Sequence, residues 1–154
     1  EIRETVDVSE MQKAKAVFVD QVVGSERLNI TSSIGEAFPL HCAANGKAML
    51  STLSEADFNK RMGRKPLDKY TANTITNVDN LAAELEAAAK SNIAFDREEH
   101  MDGVSAVGTS LQEPSGKLYA ISIPVPAVRF KQKEKHLIEA LLKCRARILK
   151  EIGP

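Results

Sequence analysis

Long apolar runs are missing from this sequence, which has no stretch close to the ~20 apolar residues that a membrane-spanning helix needs. A signal-peptide pattern is missing as well. The two cysteines, Cys42 and Cys144, are too few and too far apart for a disulfide framework. We therefore expect a cytoplasmic protein that keeps its thiols reduced and has no membrane partner.

An excess of charge of either sign is also missing, because 21 Lys and Arg balance 21 Asp and Glu. Binding to nucleic acid depends on a surplus of positive charge, so we expect no DNA contact from this chain itself. Its 154 residues suffice for one domain that buries roughly 70% of its unfolded surface. The first residue is not Met, and EIRETV resembles the end of a helix, so we expect a domain cut from a longer protein.

The first part of the chain, residues 6–31, favours β-strands. Valines alternate with polar residues at its start, and residues 16–23 are rich in β-branched side chains. Residues 27–33 alternate again, whereas GEAFP at 35–39 breaks the pattern. The sequence therefore predicts strands up to residue 33 and an interruption over 35–39.

Helices dominate the middle and the end of the chain. The predicted helices cover residues 44–53, 55–62, 76–92 and 132 to the end. Ser54 and Asp57 resemble a capping box, and Gly63 is suited to close the second helix. Residues 64–75 are predicted to form a polar connector.

A hairpin signal, Pro114-Ser115-Gly116, stands between strands predicted at 104–112 and 117–125. A short strand at 93–95 precedes them. The strand-rich start, helical middle, hairpin and closing helix predict an α+β domain with helices packed on an antiparallel sheet.

Strand parity predicts which residues of this hairpin share a face. A three-residue turn places Ala106 opposite Pro124 and Gly108 opposite Ser122. Such small side chains could line a ligand cavity in which the Ser122 hydroxyl is one polar group. They could equally form a sheet face that a bulky helix covers.

The segment HCAANGKAML, residues 41–50, raises the question of a nucleophile. Adjacent extended residues point to opposite sides, so His41 is poorly placed to act as a base for Cys42. We interpret Cys42 as half-buried at a strand-to-helix junction and predict no catalytic residue. The small residues Ala44 and Asn45 either leave helix-start N–H groups for a ligand anion or permit close packing on a strand.

Four polar side chains, Asp96, Glu98, Glu99 and His100, follow the short strand. They lack the spacing of a motif such as HExxH, and we predict no metal site. Asp96 comes directly after an apolar stretch and is expected to point inward. The other three are expected to be solvated.

Five segments in order give the chain a family resemblance. VFVDQVVG, FPLHCAANGKAML, TANTIT, IAFDREEHMDGVSAVG and PSGKLYAISIPVP resemble the effector-binding domain of the IclR family of bacterial transcription regulators. The similarity is collinear from about residue 5 to residue 153. The GKA after a His-led turn and the D-x-E-E-H-x-x-G-V loop are its most specific parts.

The resemblance implies a curved antiparallel sheet of GAF-like form with flanking helices and an effector pocket between them. It implies that residues 1–154 form an effector-binding and oligomerisation domain, with a winged helix-turn-helix domain that precedes it in such regulators absent from this chain. DNA contact would belong to that domain alone. We expect a small organic acid as the effector, no cofactor, and a homodimer or homotetramer.

The resemblance also implies a set of effector-binding residues. Members that bind small oxo acids use helix-start amides, an aspartate, a cysteine on one hairpin strand and two serines on the other. By position these correspond to six residues of this chain: Ala44, Asn45, Asp96, Ala106, Ser122 and Pro124. Because Ala106 and Pro124 replace a cysteine and a serine, we expect a larger or more apolar acid than glyoxylate or pyruvate, such as an aromatic one.

Two other functions stay open at this point. A cysteine-dependent hydrolase predicts fast, stoichiometric alkylation of Cys42 with loss of turnover. A domain kept only for oligomerisation predicts a pocket filled by its own side chains and no saturable ligand.

Overall fold

The computed structural model describes residues 1–63 and 65–153. Its helices and strands are β1 (Val6–Gln12), β2 (Lys15–Val22), β3 (Ala37–Pro39), α1 (Ala44–Leu50), α2 (Glu55–Met62), α3 (Val78–Ser91), β4 (Ala94–Arg97), β5 (Val104–Gln112), β6 (Leu118–Pro126) and α4 (Ala127–Ile152). Arg64, the first residue of the predicted connector, and Pro154, the last of the predicted domain, lie outside the described residues.

One curled antiparallel sheet organises the domain, with the strand order β3-β2-β1-β6-β5-β4. The predicted α+β fold with flanking helices is thus confirmed. Two neighbouring interior strands, β5 and β6, are buried along nearly their whole length, because both faces of the sheet are covered there.

The two faces of the sheet bury different helices. On the outer face, Ile121, Ile123 and Val125 of β6 share a cluster with Phe130 and Leu137 of α4. On the inner face, the helices α1 and α3 pack against small sheet residues. That second cluster contains Ala16, Leu40, Met49, Leu50, Leu81, Leu85 and Ala120. Large side chains on one face and small ones on the other leave room on the inner face.

The predicted register of the β5–β6 hairpin is confirmed. Ala106 pairs with Pro124, and Gly108 pairs with Ser122. The turn residues fix this register, since Gly116 adopts a positive φ of 93° and its N–H bonds the Glu113 carbonyl at 2.8 Å.

Two predictions for the segment before α1 are wrong. Residues 27–33 form no strand; there the Asn29 amide donates to the carbonyls of Gly24 (3.4 Å) and Glu26 (2.8 Å) and holds an irregular loop. The predicted interruption at 35–39 instead contains β3, which pairs with β2. Phe38 stabilises that strand by an edge-to-face contact with Phe18, at a centroid distance of 4.7 Å.

The helix ends differ from prediction for local reasons. α1 ends at Leu50 rather than at 53, because the Ser51 and Thr52 hydroxyls bond back to carbonyls of the last turn. α2 covers the predicted residues, and the Ser54 hydroxyl accepts the Asp57 N–H at 3.2 Å. α4 begins at Ala127, five residues before the predicted start, directly at the end of β6.

Candidate functional site

A cavity of about 370 Å³ lies between the inner sheet face, the start of α1 and the loop over residues 29–32. Its wall includes all six residues that the resemblance singled out, namely Ala44, Asn45, Asp96, Ala106, Ser122 and Pro124. Phe18 and Phe38 add aromatic surface. The structure therefore brings the predicted site residues together in one place, while their binding role stays a prediction.

Two rows of paired residues form the sheet side of this cavity. In one row, Asp96 of β4, Ala106 of β5 and Pro124 of β6 are direct neighbours. In the next row, Asp7 of β1 pairs with Ser122, which pairs with Gly108. Residues directly opposite one another point to the same face, so both rows face inward.

Asp7 was missed by sequence reasoning. It stands between Val6 and Val8, and such alternation is typical of a strand whose valines face the core and whose polar residues face solvent. In the structure Asp7 is 1% exposed. What brings Asp7 to the cavity is the pairing of β1 with β6, which places it beside Ser122. No local sequence pattern indicates that pairing.

The start of α1 contacts the sheet through backbone atoms. A Cβ atom built on Gly108 would lie 2.9 Å from the carbonyl carbon and oxygen of Ala44. Small residues at the helix start therefore do permit close packing on a strand. They also border the cavity, because Ala43, Ala44 and Asn45 line it beside that contact. The close-packing interpretation is therefore confirmed, while binding of a ligand anion by these residues stays a prediction.

Asp96 points inward, as predicted, and is 6% exposed. Its Oδ1 accepts the N–H of Glu99 at 2.8 Å, which closes a tight turn after β4. Burial raises the pKa of this carboxyl to about 7, although the Glu99 N–H and the nearby Lys47 favour the ionised form. A carboxyl of this kind exists as a mixture of neutral and ionised forms near neutral pH.

The prediction of a solvated loop is wrong for Glu99 and His100. Glu99 is 5% exposed, and both its carboxylate oxygens accept from Lys47 Nζ, at 2.8 and 2.9 Å. His100 is half-buried and stacks at a tilt on Phe38, with centroids 4.3 Å apart. Lys47 itself is 1% exposed and also binds Glu84 at 2.5 Å. The buried lysine is the reason that this acidic loop folds inward.

The end of the polar connector also holds this loop. The Thr71 hydroxyl donates to the Glu98 carbonyl at 2.6 Å, and the Thr74 hydroxyl donates to the Glu99 carbonyl at 2.5 Å. The wall that carries Asp96 is therefore fixed from two sides, by Lys47 and by these threonines.

Cys42 is fully buried rather than half-buried, at 0% exposure. Burial, with added repulsion from Asp96 and Glu99, raises the pKa of its thiol to about 12. His41 is engaged elsewhere, since its Nε2 bonds the Asp68 carbonyl at 2.8 Å. This environment opposes formation of the thiolate that a nucleophile needs.

We expect Cys42 to react at least about a hundredfold more slowly than exposed Cys144 with a thiol-specific disulfide reagent at pH 8. Release of chromophore should show one fast thiol, and a second only after denaturant is added. Cys144→Ser should abolish the fast phase. A fast, stoichiometric reaction at Cys42 in that variant would restore the hydrolase alternative.

Neither a metal cluster nor a membrane span is found in the described part of the chain. Within residues 1–63 and 65–153, no group of three or more His, Cys, Asp and Glu side chains is arranged to hold a metal ion. No helix over the same residues has the length and apolar character needed to cross a bilayer.

The similarity to known proteins is extensive. A family model described as the bacterial transcriptional regulator IclR C-terminal domain matches residues 1–149. An HTH-type transcriptional regulator of Mycobacterium tuberculosis is 44% identical over 142 residues, 92% of this chain and 54% of that protein. The acetate operon repressor of Salmonella typhimurium is 31% identical over 129 residues, 82% of this chain and 47% of the repressor. The crystal structure of Thermotoga maritima IclR superposes with a TM-score of 0.90 at 28% identity, over 99% of this chain and 63% of that one.

The chain spans about half the length of the curated relatives it matches. These relatives are transcriptional regulators, which are not enzymes, and members of the family bind effectors and DNA. The family match covers all five segments on which the resemblance rested. The chain therefore belongs to the IclR family of bacterial transcriptional regulators, and its fold is that of the family's C-terminal, effector-binding domain.

Proposed function

We propose that the cavity binds a small organic acid as an effector, and that its occupancy controls DNA binding by a winged helix-turn-helix domain outside this chain. The observation that carries the proposal is the wall of the cavity, where the six predicted residues lie together. A volume of about 370 Å³ falls within the range of roughly 300–1,000 Å³ that is usual for small-molecule sites.

The lining of the cavity favours an acid with an apolar body. Ala106 and Pro124 offer no hydrogen-bond donor, and Phe18 and Phe38 add aromatic surface. The Ser122 hydroxyl and the neutral form of Asp96 are donors for a carboxylate, beside the N–H groups of Ala44 and Asn45 at the start of α1. An aromatic or branched acid fits this lining better than glyoxylate or pyruvate does.

In the proposed assembly, this domain acts in the cytoplasm as part of a homodimer or homotetramer. The effector must bind one arrangement of that oligomer more tightly than another, and such couplings are typically about 1–3 kcal/mol. DNA contact remains with the helix-turn-helix part.

A thermal-shift screen tests the proposal directly. The probes are oxo acids, sugar acids and aromatic carboxylates, added at up to a hundredfold excess over their dissociation constants, where a true ligand adds about 2.7 kcal/mol of stability. Ser122→Ala and Asp96→Ala should abolish a hit. Ser110→Ala is the matched control, because Ser110 lies on the same face of β5 as Ala106 but does not line the cavity. A flat screen would favour a domain used only for oligomerisation.

We expect the affinity for an acid to rise as the pH falls from 8 to 6. An acid anion repels ionised Asp96 but accepts a hydrogen bond from its neutral form, and the pKa of Asp96 is about 7. Binding above pH 7 therefore takes up a proton, so the dissociation constant should increase by up to about tenfold per pH unit there. Below pH 7 it should level off.

Calorimetry in two buffers of different ionisation enthalpy measures this proton uptake. The charged groups that act on the Asp96 carboxyl are Glu99 and Lys47, and these two are already bound to each other. Asp96→Asn should abolish most of the pH dependence. Equal affinity at pH 6 and pH 8 would contradict the assigned role of Asp96.

A further inference from the structure

Asp7 is a buried carboxylate on the cavity wall that the predicted set of site residues does not include. It is 1% exposed, and its Oδ1 accepts one hydrogen bond, from Gln21 Nε2 at 2.7 Å. Burial raises its pKa to about 6, and the charge of Glu36 adds to the effect. None of the ion pairs among residues 1–63 and 65–153 involves Asp7.

Other buried carboxylates of this chain show how a purely structural one is compensated. Glu4 lies 2.7 Å from Arg129 and 3.0 Å from Lys133, and Glu99 lies 2.8 Å from Lys47. Asp7 has no such cation, although burying an unpaired charge is costly. Asp96 likewise faces the cavity and appears in none of the ion pairs of the described residues. Among the buried carboxyls of the described residues, the two that lack a bonded cation are therefore both on the cavity wall.

A β-bulge orients Asp7. The β1–β2 register shifts between Val8 and Ser9, so that Ser9 pairs with Phe18 while Asp7 pairs with Gln21. In a regular strand without this bulge, Phe18 and Gln21 would point to opposite faces of β2, because they are three residues apart. The bulge brings both to the inner face, where Phe18 lines the cavity and Gln21 holds one oxygen of Asp7.

The described part of the wall carries carboxyl groups but no lysine or arginine to pair with them. Among the described residues that line it, none is Lys or Arg, whereas Asp7, Asp96 and Glu36 all carry carboxyl groups. A ligand hydroxyl or amino group can therefore donate to a wall carboxyl without competing with a cation of the wall. Asp7 and Asp96 are on β1 and β4, three strand spacings apart, so their backbones are roughly 14 Å apart along the sheet. A two- or three-carbon acid is too short to reach both.

We propose that the effector carries a hydroxyl or amino group in addition to its acid group, and that Asp7 accepts a hydrogen bond from it. This inference rests on the proposed function of the cavity. Asp7 then determines specificity: it selects hydroxy or amino acids with an apolar body over the corresponding plain acids. Ser122, its direct neighbour across the sheet, lies between Asp7 and Asp96 in the strand order, on the side where the acid group binds.

Matched pairs of probes test this inference by calorimetry on the 154-residue chain. The pairs are benzoate with 3- and 4-hydroxybenzoate and 4-aminobenzoate, and phenylacetate with 4-hydroxyphenylacetate. We expect at least one substituted member to bind about tenfold or more tightly than its parent, as is usual for a hydrogen bond to a buried charged group. In Asp7→Ala that preference should fall to about twofold or less.

Asp20→Ala is the control, because it removes the same charge from an exposed position on β2 and should keep the preference. Thermal unfolding checks that each variant is folded; Asp7→Leu replaces Asp7→Ala if the smaller side chain unfolds the domain. Equal binding of parents and substituted members, or a preference that survives removal of Asp7, would overturn the inference and leave the acid-binding function standing. If no probe of either kind binds, the proposed function fails, and the inference fails with it.

Discussion

Replacing Lys47 with methionine is expected to lower the free energy of unfolding by about 3–5 kcal/mol, because the change removes one partner of a buried ion pair. Lys47 is 1% exposed and its Nζ binds both oxygens of Glu99, which is 5% exposed. Methionine matches the volume of the lysine stem and removes only the charge and its hydrogen bonds. Glu99 would remain buried without its cation. Urea unfolding followed by circular dichroism measures the loss.

The matched control is Lys90→Met, since Lys90 forms an exposed pair with Glu86 at 3.4 Å. Exposed pairs of this kind contribute about 0.5 kcal/mol or less, so this variant should unfold almost like the wild type. Adding Glu99→Gln to Lys47→Met should recover part of the loss, because it removes the orphaned charge. A loss below about 1 kcal/mol in Lys47→Met would contradict the buried pair.

The same variant should also weaken effector binding. Glu99 Oε2 accepts the Arg97 N–H at 2.9 Å, and the Glu99 N–H donates to Asp96 at 2.8 Å. The position of Asp96 on the cavity wall therefore depends on where Lys47 holds Glu99. The Lys47 side chain is not part of the cavity wall, so this effect would pass through the Glu99 loop.

The hairpin and the two helices α2 and α3 were predictable because their signals are local. Pro114-Ser115-Gly116 defines a turn, and the turn defines which residues of β5 and β6 face each other. Asn77 caps α3 through bonds to the N–H groups of Asp79 and Asn80, at 2.8 and 3.1 Å. Neither feature needs information from a distant part of the chain.

The loop over residues 27–33 and the strand β3 were mispredicted because their outcome depends on partners. Alternation at 27–33 resembles a strand, yet the structure gives this segment no neighbouring strand. β3 has only three residues and follows a glycine turn, which hides it from pattern analysis. Its pairing with β2 and the contact between Phe38 and Phe18 are long-range features.

The residues of the candidate site could be predicted only in part from the sequence. The six predicted residues came from the family resemblance, and strand parity independently placed Ala106, Ser122 and Pro124 on one face. Glu99 was misassigned because its partner, Lys47, is 52 residues away. Asp7 was missed because Ser122, its neighbour in the sheet, is distant from it in the sequence.

Gly108→Val is expected to lower the free energy of unfolding by about 3 kcal/mol, at the upper end of the cost of overpacking a core. Any Cβ at this position meets the carbonyl carbon and oxygen of Ala44 at 2.9 Å and the Asn45 nitrogen at 3.2 Å. These are backbone atoms, so no side chain can rotate away. Valine is favoured over glycine in strands, so a lower free energy of unfolding could not be attributed to the strand propensity of valine. Denaturant unfolding measures it.

Ala106→Val separates this packing effect from the pocket itself. Ala106 is two residues away on the same face of β5 and, unlike Gly108, lines the cavity. Its larger side chain has empty space to enter, so stability should change by less than about 1.5 kcal/mol while affinity for an effector falls. Gly108→Val should impair both. Wild-type stability in Gly108→Val would mean that α1 and β5 are further apart than in the structure. The cavity between them would then be larger.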